Sequence, residues 1–271
     1  MNPLEATVLG VVQGLTEFLP ISSTAHLRVV PAFLGWSDPG AAFTAVTQLG
    51  TTLAVLIYFR RDLTRILRTW AQSLRDPTLR STLDARMGWY IGFGTIPIGV
   101  FGLAFKDQIE GGARNLFVIG TALVVVGVVL YVAERVGRQD RAIEELTRVD
   151  AAVVGLAQAC ALVPGVSRSG ATLSAGLFRG LDREAAARYS FLLSVPAIVL
   201  SGLLELPEIG VHGDPGVLAT VVATAVAFAS GYAAIAWLLR FLVTHSTTVF
   251  VVYRIALGVL VLALASADVI S

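Results

Sequence analysis

Charge is scarce in this chain. Only 14% of its 271 residues are Asp, Glu, Lys or Arg, against roughly 25% in soluble domains, and mean hydropathy is +0.76. That combination excludes a water-soluble globule. Cysteine is nearly absent. Cys160 stands alone, so no internal disulfide can form and the redox compartment is not indicated. The start lacks the basic n-region and cleavage site of a secretory signal, so the first residues are expected to remain in the folded protein. The net charge of +1 is uninformative in itself; the placement of the charges is not. No nucleic-acid partner is expected.

What the chain does have is apolar runs near the ~20 residues that cross a bilayer. The clearest are Ala42–Phe59, Trp89–Phe105, Leu116–Ala133, Phe191–Leu206, Val217–Leu239 and Val249–Ala267. The expected fold class is an all-α polytopic membrane protein, a single integrated domain over 1–271 with about six full transmembrane helices. After the first run come Arg60, Arg61, Arg65, Arg68, Arg75, Arg80 and Arg86, against Asp62, Asp76 and Asp84. The positive-inside rule makes this loop cytoplasmic, and Leu63–Leu74 reads as an amphipathic surface helix. Glu134–Asp150, with Arg135, Arg138, Arg141 and Arg148, is cytoplasmic by the same rule. Lys106–Arg114 and Glu205–Asp214 fit the outer face.

Two broken segments interrupt this pattern. In Gly10–Leu27, GVVQGLTEFLPISSTAHL, Gln13 and Glu17 share a helix face. Pro20 then biases Leu19 away from helical geometry. Ser22, Ser23 and Thr24 can cap a second helix running to about Leu34, with His26 inside it. Neither half is long enough to span, so the pair reads as a re-entrant hairpin, which requires protein or a cavity around its irregular backbone. The second segment, Gly155-Leu-Ala-Gln158 followed by Leu162-Val-Pro-Gly-Val-Ser-Arg-Ser-Gly-Ala-Thr172, echoes the first. Ala185-Ala186, Leu193 and Val199-Leu200 also fall 144 residues after Ala41-Ala42, Leu49 and Val55-Leu56. With the arginine distribution, this implies an inverted-topology repeat, about 1–135 and about 150–271, whose two re-entrant broken hairpins meet near the midplane.

Such a meeting brings two helix N-termini together, each suited to an anion. One tip supplies Glu17, Ser22, Ser23, Thr24 and His26; the other supplies Ser167, Arg168, Ser169, Gly170 and Thr172. The Arg168 fork matches a pair of phosphate oxygens, and a guanidinium at that depth needs an anionic partner. Gly165 and Gly170 would admit backbone N–H groups to a ligand. An anion cradle, an acid/base group and candidate nucleophiles together read as phosphoryl chemistry on a lipid. Arg254 reads as a snorkelling or carboxylate-paired residue, Gln158 as a packing echo of Gln13, and His212 and His245 as solvated loop residues.

EFLPISSTAH and PGVSRSGAT resemble the two signature motifs of the undecaprenyl-diphosphate phosphatase family, the bacitracin-resistance proteins. The likeness extends to QLGTTLAVL at 48–56 and YRIALGVLVL at 253–262. It implies a multi-pass inner-membrane enzyme that hydrolyses undecaprenyl diphosphate to undecaprenyl phosphate and inorganic phosphate, regenerating the carrier for peptidoglycan and other envelope polymers. It implies a polyprenyl diphosphate substrate, contact with membrane lipids, a site reached from the outer or periplasmic side, and compatibility with a homodimer. The family pattern places its first-motif acidic or glutamine position on Gln13, its second acidic position on Glu17, its serine-threonine run on Ser22, Ser23 and Thr24, its histidine on His26 and its arginine on Arg168. With the inventory of the two tips, the expected catalytic residues are Glu17, Ser23, His26 and Arg168, and those expected around the substrate are Gln13, Ser22, Thr24, Ser167, Ser169, Gly170 and Thr172. Where many members carry a glutamate this chain has Gln13, which weakens a two-carboxylate metal site. A divalent cation, Mg or Ca, could still be held by Glu17 and the substrate's phosphates.

Three attacks on the terminal phosphorus remain open from sequence: by Ser23, by His26, or by a water that His26 activates, with Glu17 orienting His26 or holding a metal. The rival class is a transporter or flippase for a polyprenyl phosphate or another anion. A carrier needs the anion cradle but neither nucleophile nor base.

Overall fold

The computed structural model describes residues 1–105, 108, 115–208 and 215–270. Among these residues there are eleven α-helices and no β-strand, with one isolated parallel bridge between Arg141 and Leu181. Six of the helices are long and apolar enough to cross a membrane, which makes this a multi-pass membrane protein. They are α3 (Gly40–Tyr58), α5 (Leu83–Ala104), α6 (Leu116–Val136), α9 (Arg183–Glu205), α10 (Val217–Thr244) and α11 (Thr248–Ser266). The amphipathic helix expected after the first span is α4 (Arg60–Ser73). Several spans outrun their apolar runs. Helix α9 starts at Arg183, eight residues before Phe191, because Asp182 caps it by accepting from Ala185 N. The links expected on the outer face, 106–114 and 205–214, with His212, lie largely outside the described residues.

Both broken segments fold as helix, break, helix. Helix α1 (Pro3–Phe18) stops before Pro20, and α2 (Ser23–Leu34) restarts at the serine run. Helix α7 (Arg148–Ala159) and α8 (Arg168–Phe178) flank the second break. At 1.5 Å per residue the four helices are about 16–24 Å long, short of the ~30 Å hydrocarbon core. The restart is the same in both. Ser22 at φ 74° accepts from Ala25 N at 3.3 Å, and Ser167 at φ 70° accepts from Gly170 N at 3.1 Å. Each side chain thus satisfies an N–H that the first turn cannot.

The halves exchange partners. Helix α1 lies along α10, and α7 lies along α5. Both contacts are close because glycine removes a side chain. A Cβ on Gly14 would stand 1.9 Å from Ser230 Oγ, and one on Gly155 would stand 2.6 Å from Gly94 Cα. Helices α3 and α9 pack together, as do α6 and α11. Phe18, Phe59 and Phe191 meet in the main apolar core.

The arginine-rich ends are tied by ion pairs. Arg188 reaches Asp62 at 2.7 Å and Arg65 reaches Asp84 at 2.8 Å. Buried Glu134 pairs with Arg183 and accepts from Thr247 Oγ1 at 2.7 Å. Asp150, at the surface end of α7 and outside the spans, accepts from Arg141 and Arg179, each at 2.7 Å. Burial would push its carboxyl up; the two guanidiniums and Thr147 outweigh that and hold it below the usual carboxylate range.

Candidate active site

The two breaks come together. Arg168, first residue of α8, forms an ion pair with Glu17 in the last turn of α1. Arg168 binds one carboxylate oxygen, Oε1. The other, Oε2, accepts from Ser23 Oγ at 2.6 Å and from Gln13 Nε2 at 2.8 Å. Glu17, Ser23 and Gln13 are all buried. A carboxylate with three donors is electrostatically satisfied in a dry setting. It is also a base poised on a serine hydroxyl.

This cluster closes one end of a cavity of about 340 Å³. Glu17, Ser22, Ser23, Thr24, Ser167 and Arg168 form its polar end. Both α2 and α8 begin here, so their first N–H groups, which have no intrahelical acceptor, add to the anion preference of Arg168. The remaining walls come from Ala161, Leu162 and Pro164 at the second break and from three spans. Helix α3 contributes Ala41, Thr44, Ala45 and Gln48; α5 contributes Thr95, Ile98, Gly99, Gly102 and Leu103; α9 contributes Ala197, Leu200, Ser201, Leu204 and Glu205. These repeat at intervals of three and four, one face of each helix. Nothing in the sequence singled out Thr44, Thr95, Ser201 or Glu205. Their helical spacing was the available signal, but it marks a buried face without saying whether that face meets protein or a cavity.

Other expected residues stand behind these walls. Gln13 holds Glu17. Ser169 donates to the Leu19 carbonyl at 3.0 Å, tying the second tip to the first, and Thr172 meets Ser190 Oγ at 2.6 Å. Neither Gly165 nor Gly170 is among the residues that line the cavity, and the space where a side chain would stand at each is filled by protein. A Cβ on Gly165 would stand 2.6 Å from the Ile119 carbonyl oxygen, and one on Gly170 would stand 2.6 Å from Arg254 Nη1. His26 is turned away from the cavity. Its Nδ1 lies 2.7 Å from the Ser22 carbonyl, which can only accept, so Nδ1 carries the proton. A neutral ring then accepts at Nε2 from Tyr253 Oη, also at 2.7 Å.

Arg254 corrects the sequence reading. It neither snorkels nor meets a carboxylate. It is fully buried and donates to four main-chain carbonyls: Pro20 at 2.8 Å, Gly165 and Val166 at 2.9 Å, and Leu123 at 3.3 Å. One guanidinium thus fastens both break loops to each other and to α6.

Glu17 is the only carboxylate at the polar end, and no group of three or more His, Cys, Asp or Glu suited to a metal occurs among the described residues. Both its oxygens are engaged by protein donors, so the chain's own side chains fit a divalent ion poorly.

Known proteins give this arrangement a context. The profile of the bacitracin resistance protein BacA family matches residues 6–260. An undecaprenyl-diphosphatase of Thermobifida fusca is 56% identical over 271 residues, covering all of this chain and 93% of the relative. Proteins of the same name from Nocardioides sp. and Mycolicibacterium smegmatis are 56% and 55% identical, with at least 98% of each relative covered. The chain therefore belongs to the BacA family of bacitracin resistance proteins.

Proposed function

We infer that this protein is the undecaprenyl-diphosphate phosphatase of its membrane. It hydrolyses undecaprenyl diphosphate to undecaprenyl phosphate and inorganic phosphate, returning the carrier lipid to peptidoglycan synthesis. The observation that carries the chemistry is the Glu17–Ser23–Arg168 contact at the polar end of an otherwise largely apolar cavity. A diphosphate headed by that cluster, with its tail against the apolar walls, is the amphiphile the cavity suits.

In the mechanism proposed, the terminal phosphate draws Arg168 off Glu17 and takes the N–H groups at the starts of α2 and α8. Fixed donors of this kind act chiefly on the charge of the transition state. Ser23 Oγ attacks the terminal phosphorus as its proton passes to Glu17 Oε2. The bond to the bridging oxygen breaks and undecaprenyl phosphate leaves. The freed oxygen of undecaprenyl phosphate takes that proton from Glu17 as it leaves; water then gives a proton to the ionised Glu17 and attacks the phosphoserine, and Ser23 Oγ recovers that proton as inorganic phosphate departs. Ser23 is preferred over His26 because both ring nitrogens of His26 are engaged behind the wall. His26 is proposed as a positioning residue that holds the Ser22 carbonyl. A divalent cation, Mg or Ca, would have Glu17 as its one protein carboxylate and the diphosphate oxygens as its other ligands, adding charge neutralisation; no step above depends on it.

The two halves are proposed to sit with opposite orientation in the inner membrane, their breaks re-entrant. The reciprocal packing of α1 on α10 and α7 on α5, and the paired serine caps, support this. With the arginine-rich ends inside, the cavity would be reached from the outer side. A pure carrier would need no serine held by a carboxylate.

The test is phosphate release by purified protein given undecaprenyl diphosphate, with rapid quench to trap phosphoprotein. Release, and phosphate mapped to Ser23, is the expected result. Release without any trapped intermediate would replace serine attack by water attack. Binding without release would make the protein a carrier.

A further inference from the structure

A cavity of about 340 Å³ lies at the small end of ligand pockets, ~300–1,000 Å³. It can take a diphosphate and the start of a polyprenyl chain. The rest of an undecaprenyl tail must leave through a wall into lipid, since apolar surface held in water is costly.

Helix α5 is that wall. Of the six spans it is the least covered by the rest of the protein, and its far side, with Phe93, Ile96 and Val100, is exposed. Its cavity side lacks side chains where they would be expected. A Cβ on Gly99 would meet no heavy atom within 4 Å, and one on Gly102 would meet only the Leu162 side chain, at 3.5 Å. Glycine inside a helix costs about 1 kcal/mol relative to alanine. Close packing explains Gly94 on the same helix, where a Cβ would stand 2.9 Å from Leu193. Nothing in the protein presses on Gly99. The space beside it opens into the cavity, opposite Ala197, Leu200 and Leu204 of α9.

We propose that Gly99 and Gly102 form the slot by which the first isoprene units of the tail pass from the site into the bilayer, so that these two positions set which tails the enzyme accepts. This rests on the phosphatase reading above, and the test separates the two.

Full-length protein carrying Gly99→Cys in a Cys160→Ser background is labelled with a thiol reagent. Undecaprenyl phosphate should slow labelling by about tenfold, the scale of a specific apolar contact, while inorganic diphosphate, which has no tail, should not. Gly99→Leu should keep its fold, because the added side chain enters open space, and should lose about tenfold or more in kcat/KM on undecaprenyl diphosphate through a raised KM. Gly92→Leu is the control: Gly92 is also uncrowded, but it lies two turns away, outside the cavity walls, and should stay within about twofold. The slot is overturned by equal protection from both probes, by no protection, by a Gly99→Leu enzyme with normal KM, or by a Gly99→Leu protein that cannot fold. Protection by undecaprenyl phosphate in a protein that releases no phosphate would keep the slot and discard the hydrolysis.

Discussion

The two break segments share a backbone and divide a task. Each has a serine at φ near 70° accepting from the third residue of the helix it opens, and each of these serines lies 3.1 Å from a second hydroxyl, Thr24 or Ser169. Ser22 and Ser167 are thus equivalent. Yet Glu17, five residues before the first cap, corresponds to Leu162 before the second, and Ser23, just after the first, corresponds to Arg168. One copy brings the carboxylate and hydroxyl, the other the cation. The two segments share one way of restarting a helix, and they differ in the few side chains that the proposed chemistry uses.

If that division is right, the largest loss should come from the unique cation. Arg168→Ala should lower kcat/KM for undecaprenyl diphosphate by about a hundredfold to a thousandfold, the cost of a charge-stabilising donor, measured by phosphate release. Near-normal turnover would remove Arg168 from the site. Next is the residue that joins the copies. Arg254→Leu leaves four buried carbonyls without their donor. It should destabilise the protein by about 3 kcal/mol or more, read as a fall in thermal midpoint in detergent; Arg254→Lys, lacking the planar fork, should fall in between.

A smaller effect is expected at the surface end of the second copy. Asp150→Asn breaks two ion pairs and should cost about 2 kcal/mol at neutral pH. The Asp150 carboxyl is held below its usual range, so its contribution is complete above the unfolded value of about 3.9 and fades as pH falls below it. Stability measured down the acid side should therefore decline less steeply in Asp150→Asn. Smallest are the caps. Ser22→Ala and Ser167→Ala should each cost about 1 kcal/mol, and glycine only a few tenths, since it also accepts a positive φ. Unequal costs at the two serines would break the equivalence of the frames.

Much of this was legible in the chain. Pro20 located the first break, and the serine runs located both restarts, because these effects act over a few residues. Apolar length found the six spans, but missed the turns of α9 that run past the apolar stretch, because hydropathy has no sight of a cap. The meeting of Glu17 with Arg168 followed from topology. Side-chain direction did not follow: His26 points at Tyr253, a partner far along the chain, and no local pattern encodes that. Arg254 was misread for a related reason. A buried arginine suggests a carboxylate or a route to the surface, but here the acceptors are carbonyls exposed by the two helix breaks, and those breaks come together only in the folded protein.

The position of Arg254 also orders assembly. It lies 234 residues after Pro20 and 89 after Gly165, so a ribosome makes both loops well before the residue that fastens them. Until then the two loops lack the guanidinium that joins their carbonyls.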